Sequence, residues 1–174
     1  MILTSYEIQK KVDDGSIHIS PFDEDLLNSV SYDYRIDYKL LELSDLPIDP
    51  KKQTTYREIN FTDDGHVLSP HKTYLANTFE EIGSDFFVPL LSGKPSLGQL
   101  GLFLQITADL GNLGAKHKWT LELKAVQPLR IYPLMRVGQV SFWKTKGNNI
   151  MQYNGKYGDF SEAKSSEIYR EFDQ

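Results

Sequence analysis

The clearest hydrophobic pattern in the chain is Ser31–Leu43, SYDYRIDYKLLEL, where Tyr32, Tyr34, Ile36 and Tyr38 share one phase and Asp33, Arg35, Asp37 and Lys39 the other. Side chains along an extended chain point alternately to opposite faces, so a period of two with aromatic enrichment predicts a strand. Upstream, Ile8 and Val12 lie one helical turn apart behind Ser5, with Glu7 in the first turn. This predicts a short helix over Ser5–Asp13, capped by Ser5 and ended by Asp14-Gly15. Ile17–Ile19 reads as a strand fragment, and Ser20–Asp23 as a turn around Pro21.

Downstream the pattern is broken by Pro and Gly. Ser44–Asp64 has two prolines and scattered charge, which predicts a surface excursion with a strand near Tyr56–Phe61. Asp63-Asp64-Gly65 is a turn signal, Val67-Leu68 opens a short strand, and Tyr74–Ala76 sits in a further strand-like context. Phe79–Ser84 reads as a loop or single turn, and Phe86–Leu91 as an apolar strand. Gly93–Glu122 begins as a Gly/Pro/Ser turn, continues as the apolar run Leu100–Ile106, and breaks into a Gly-rich loop. It ends on a strand, Trp119–Val126, and Pro128–Tyr132 and Gly138–Trp143 supply two more. From about residue 145 the chain is a polar tail in which Ser165–Phe172 forms a last helical turn. Many short strands between turn signals, with no repeat or linker, predict one all-β domain over residues 1–174, of sandwich or barrel type.

Composition adds exclusions. The chain has 174 residues, 40% of them hydrophobic and 25% charged, the balance of a soluble globular domain with a sizeable core. No apolar run approaches the roughly 20 residues of a membrane-spanning helix, and the N-terminus meets charge too early for a secretory signal. The cytoplasm is the expected location, with no membrane partner. The absence of cysteine removes disulfides, thiolate nucleophiles and cysteine-bound zinc. A formal net charge of −5 and no dense Lys/Arg cluster argue against a nucleic-acid partner. A small anion needs only a few focused cations, so a nucleotide ligand stays open.

The four histidines, His18, His66, His71 and His117, include no pair at metal-ligand spacing, so no metal site is expected. There is no GxSxG elbow and no Walker-type phosphate loop. Glu122 draws more interest. Alternation in its strand sets Trp119, Leu121 and Leu123 on one face and Thr120, Glu122 and Lys124 on the other. If that polar face is a solvated sheet surface, Glu122 is an ordinary charged residue. If it lines a pocket, Glu122 is a candidate general base.

Several segments, in order along nearly the whole chain, resemble the dCTP deaminase branch of the trimeric dUTPase-like superfamily. Ile19-Ser20-Pro21-Phe22 with Ser31-Tyr32-Asp33-Tyr34-Arg35-Ile36 is similar to that family's "PF … SxDxRL" signature. Leu68-Ser69-Pro70 through Leu75-Ala76-Asn77-Thr78-Phe79-Glu80 is similar to its "L.P…LA.T.E" segment. Gly93–Leu102 stands where the family has GRSSLARLGL, and Thr120-Leu121-Glu122-Leu123 matches TLEL. Met135–Phe142 resembles MRIGQLSF, and Tyr153 with Lys156-Tyr157 resembles the start of the C-terminal "KYQ" segment.

The resemblance implies a β-clip, or distorted β-barrel, with a short N-terminal helix, assembled as a homotrimer with sites between subunits. It implies deamination of a deoxycytidine nucleotide without protein-bound zinc, with Mg2+ accompanying the triphosphate. Carried over by position, Glu122 is the base that takes a proton from the attacking water, and Gln99 stands near that water. Lys94 and Ser96 fall in the phosphate-binding segment, Ile106, Ala108 and Asp109 in the loop against the base, and Tyr153, Lys156 and Tyr157 in a tail that closes over the nucleotide.

The chain departs from the family where it would touch ligand. Lys94 replaces an arginine and loses the two-pronged fork, Pro95 replaces a serine, and Gln99 replaces a second arginine. A His-Arg pair becomes Asp109-Leu110, and the Asp of DPG becomes Asn112. A hydrogen bond to a charged group contributes about 1.5–3 kcal/mol, so two lost arginines cost roughly two to four orders of magnitude unless replaced. Lys94 offsets part, and Lys116, His117 or Lys118 of a neighbouring subunit offers more. Four readings follow: a dCTP deaminase, a deaminase of a cytosine monophosphate or nucleoside, a non-catalytic nucleotide-binding or interaction module, and a dUTPase-type pyrophosphatase. The last is disfavoured by Asn112, because that chemistry wants a carboxylate near the phosphates.

Overall fold

The structure, a computed structural model, describes residues 1–104, 108–147 and 162–172. Helix α1 (Ser5–Asp13) opens the chain and buries Ile8. Its cap is Thr4, whose Oγ1 accepts from the Glu7 backbone N–H at 3.5 Å, and Ser5 is the first helical residue. The expected extent is right and the cap lies one residue earlier. Strands β1 (His18–Ser20) and β2 (Leu27–Asn28) lead into β3 (Ser31–Leu43), followed by β4 (Tyr56–Asn60), β5 (His66–Leu68), β6 (Tyr74–Gly83) and β7 (Phe87–Gly93). A one-turn helix α2 (Pro95–Gly98) precedes β8 (Leu102–Leu104), and β9 (Lys116–Ala125), β10 (Leu129–Ile131) and β11 (Arg136–Lys144) follow. A 3-10 turn over Ile168–Glu171 falls within the expected tail helix.

Among the described residues nine strands form one sheet of order β7-β11-β3-β6-β9-β8, with β1 on β6 and both β2 and β4 on β3, while β5 and β10 pair separately. The sheet curls toward closure. The free edge of β7 meets the segment after β8: Leu91 N donates to Asp109 O and Gly111 N to Pro89 O, both at 2.8 Å. This is the all-β, barrel-like architecture that the alternation and the resemblance predicted.

β3 turns Tyr32, Tyr34, Ile36 and Leu40 into the core, all fully buried, beside Leu121, Leu123, Val140 and Phe142 of the neighbouring strands. Each such side chain contributes about 1.5–3 kcal/mol relative to an exposed position. Tyr38 departs from the expected phase and is 48% exposed. The register of β3 against β6 shifts between Ile36 and Leu40, and that irregularity expels Tyr38 to the surface, edge-on to Phe79. The expected loop at Phe79–Ser84 is instead the second half of β6. That strand lies inside the sheet between β3 and β9, so Thr78, Glu80 and Ile82 are all fully buried and the polar members hide the strand pattern.

The Gly/Pro/Ser turn at the start of the central segment is α2. Pro95 sits in its first turn, where a missing backbone N–H removes no helical bond. Gly101, at φ +85°, turns the chain from α2 into β8, and a Cβ there would overlap Val126.

Candidate functional site

Glu122 lies in the middle of β9, opposite Leu75 of β6. Its neighbours Leu121 and Leu123 are fully buried, and Glu122 itself is exposed on the outward face. The predicted division of β9 holds: Thr120, Glu122 and Lys124 share the outer side, with Lys124 Nζ donating to Lys72 O at 3.3 Å. A carboxylate so placed is carried by a strand hydrogen-bonded on both edges, to β6 and β8. Rigid backbone and outward projection suit a group that must meet a ligand at fixed geometry.

Next to it on the same face is a depression of about 250 Å3 lined by Asp37, Tyr38, Lys39, Asn60, Asn77, Lys118 and Glu162. Asn77 stands opposite Thr120, two residues from Glu122. Its cations are engaged within the chain. Lys118 Nζ donates to Asp37 Oδ2 at 2.7 Å, and Lys39 Nζ lies 3.4 Å from Glu58 and 3.5 Å from Glu162. Glu162 brings the C-terminal tail onto this face. Sequence reasoning missed Asn60, Asn77 and Lys39, although the polar phase of β3 pointed there.

The loop cations are engaged too. Lys116 Nζ lies 2.5 Å from Asp85, and the buried His117 ring packs on Trp119 at 4.5 Å with its Nδ1 2.8 Å from Lys118 O. Lys116, His117 and Lys118, expected to reach a neighbouring subunit's phosphate, each thus make a contact within their own chain. Ala108 and Asp109 are exposed, and the Asp109 carbonyl serves barrel closure. Leu110 is 65% exposed.

Ser96 and Gln99 are exposed on and just after α2. Lys94 is not turned to open solvent. Its ammonium is paired with the carboxylate of Asp33, which also accepts from Asn28 Nδ2 at 2.8 Å. The Lys94 ammonium thus sits on β3 while Glu122 sits on β9, with β6 between them in the sheet. Two strand spacings put them roughly 10 Å apart or more. Ile106, Tyr153, Lys156 and Tyr157, also expected at the site, fall outside the described residues.

Other motif residues hold the scaffold. Glu80 is fully buried and accepts from Arg35 Nε at 2.6 Å and from the Arg35 backbone N–H at 2.9 Å. Burial pushes its carboxyl above the ordinary glutamate range, while the bonds from Arg35 pull it back. Thr78 Oγ1 donates to Glu80 O at 2.7 Å and accepts from Trp119 N at 2.9 Å, joining β6 to β9.

A profile of the dCTP deaminase-like family matches residues 2–145. A protein named dCTP deaminase, dUMP-forming, from Leptospira biflexa is 38% identical over 100% of this chain and 99% of its own length. One of the same name from Hathewaya histolytica is 35% identical over 99% of this chain and 100% of its own. Among solved structures, the 2'-deoxycytidine 5'-triphosphate deaminase of Agrobacterium tumefaciens superposes with a TM-score of 0.64 at 19% identity, over 81% of this chain. The chain spans 47% of that protein, about half its length, and the likeness is one of fold. Family profile, full-length relatives and barrel agree: the chain belongs to the dCTP deaminase-like family.

Proposed function

We propose that this chain is an enzyme that converts dCTP to dUMP, releasing ammonia and diphosphate. Full-length identity of 34–38% to relatives named dUMP-forming dCTP deaminases carries the reading, and the outward carboxylate of Glu122 on β9 is the structural feature that serves it. In the deamination Glu122 takes a proton from water as the water oxygen bonds to C4 of cytosine, and it delivers that proton to N3 as the C4=N3 double bond opens. The remaining hydroxyl proton then passes through Glu122 to the amine as the C4–N bond breaks, C4=O forms and ammonia leaves. A second water attacks the α-phosphorus and expels diphosphate. The carboxylate that activates this water is then supplied from a position other than Asn112.

Gln99 and Ser96 orient the water and the charge, and Lys94 meets the phosphates. Ile106, Ala108 and Asp109 border the base, and Tyr153, Lys156 and Tyr157 come from the tail. The homotrimer rests on the resemblance, which places sites between subunits, and on that reading Lys94 and Glu122 of one site come from different copies. Mg2+ enters with the triphosphate as part of the substrate. The described residues contain no cluster of three His, Asp or Glu side chains suited to holding a metal. A free deoxynucleotide substrate favours a cytoplasmic enzyme.

The test is a panel of dCTP, dCMP, deoxycytidine and dUTP, with ammonia and diphosphate measured together on wild type and Glu122→Gln. Equal ammonia and diphosphate from dCTP, with deamination reduced about 100-fold or more in the variant, is expected. Turnover of dCMP in preference to dCTP would transfer the assignment to a monophosphate deaminase. Nucleotide binding with no ammonia from any substrate would make the chain a non-catalytic member.

A further inference from the structure

Three polar residues in one phase of β3 each fasten a different segment. Ser31 Oγ donates to Gln139 Oε1 at 2.8 Å, Asp33 receives the Lys94 ammonium, and Arg35 grips Glu80. The alternation of the sequence thus becomes a row of clamps, and Asp33 reaches the segment that carries Lys94, Ser96 and Gln99. The Asp33 side chain is only 5% exposed and its second oxygen is fixed by Asn28. Lys94 is held through its backbone as well, its N–H donating to Val137 O at 3.2 Å. The Lys94 side chain remains 28% exposed, and an ammonium has three donors, so one contact does not exhaust it.

We infer that Asp33 is a positioning residue for phosphate binding: it fixes the Lys94 ammonium at the start of α2, so that the polyphosphate meets a cation already ordered. This rests on the function proposed above. A free lysine loses most of its rotamer freedom when it grips a ligand, and ordering it beforehand corresponds to roughly tenfold in affinity. The carboxylate also neutralises part of the charge, so the pair supplies direction rather than long-range attraction. Asp33 thus gives a single lysine the order that a pre-shaped guanidinium fork would otherwise provide.

The test is a double-mutant cycle on dCTP turnover with Asp33→Asn, Lys94→Gln and the double variant. Asp33→Asn should raise KM about three- to tenfold with kcat changed less than about twofold, and the double variant should match Lys94→Gln alone. A KM at or below wild type, or additive effects, overturns the inference. If Asp33→Asn does not fold, Asn28→Ala loosens the same carboxylate. Its smaller rise in KM must vanish in the Lys94→Gln background, and a rise that persists there overturns the inference. Acetylation of Lys94 without substrate, followed by mass spectrometry, should be about fivefold or more faster in Asn28→Ala or Asp33→Asn than in wild type. Equal rates overturn the pairing itself. That measurement stands even if the wild type releases no ammonia from dCTP, a result that would refute the proposed function and not the pair.

Discussion

Replacing Arg35 with methionine strips the side-chain partner from a carboxylate that has no access to water. Glu80 is 0% exposed, and its two oxygens accept from Arg35 Nε at 2.6 Å and from the Arg35 backbone N–H at 2.9 Å. The variant keeps the backbone donor and the aliphatic stem and loses the guanidinium. Removing one member of a buried pair costs about 3–5 kcal/mol, because the remaining charge is left uncompensated. Arg35 is 19% exposed, so screening points to the lower end, about 3 kcal/mol. Loss of the cation held 4.9 Å over the Phe79 ring adds roughly 0.5 kcal/mol. The pH dependence has a fixed sign. Burial already raises the Glu80 carboxyl, and without Arg35 it rises further. A carboxyl whose pKa is higher folded than unfolded stabilises the fold below its unfolded pKa and loses that contribution as pH rises through the folded value. The deficit of Arg35→Met relative to wild type should therefore be largest near pH 8 and shrink toward pH 5. Urea unfolding followed by circular dichroism measures it, at one protein concentration because association shifts the midpoint. A loss under about 1 kcal/mol at pH 8, or an equal loss at both pH values, refutes the reasoning.

Three further outcomes follow from the same geometry. Gly138→Ala should destabilise by about 1–3 kcal/mol in urea unfolding, because a Cβ there overlaps the end of the Tyr34 ring, whose hydroxyl donates to Ser92 O at 3.0 Å; wild-type stability would mean the two strands can part at no cost. Glu122→Gln should unfold within about 0.5 kcal/mol of wild type, since the side chain is exposed, so that its loss of turnover reads as chemistry. Sedimentation should give a trimer of the 20.0 kDa chain, and a stable monomer that still releases ammonia would show that one chain completes the site.

The alternation of β3 and β9 was legible because each strand sets an apolar face against a polar one, and the inward Tyr32 and Tyr34 and the outward Glu122 follow from period two, while the exposed Tyr38 needed the register shift of β3 against β6. The second half of β6 was not. A strand inside the sheet has no solvent face to mark, and Glu80 reads as surface until Arg35 is found beside it, 45 residues earlier in the chain. α2 was read as a turn for a similar reason: Gly, Pro and Ser punctuate loops, and only the helical placement of Pro95 shows one turn of helix.

The sequence by itself determined the barrel class, the family and the strand that carries the candidate base, because these depend on local periodicity and on motifs kept in order. What tertiary structure decided is where the charges go. Asp33 and Lys94, 61 positions apart, meet only because β7, β11 and β3 lie side by side, and Lys118 of β9 finds Asp37 of β3 across 81 positions by reaching over the intervening β6, where both of its pairings shift register. The physical reason is range. Side-chain periodicity is set by neighbours in the chain, whereas the partner of a buried charge is set by whichever strand the sheet brings alongside it.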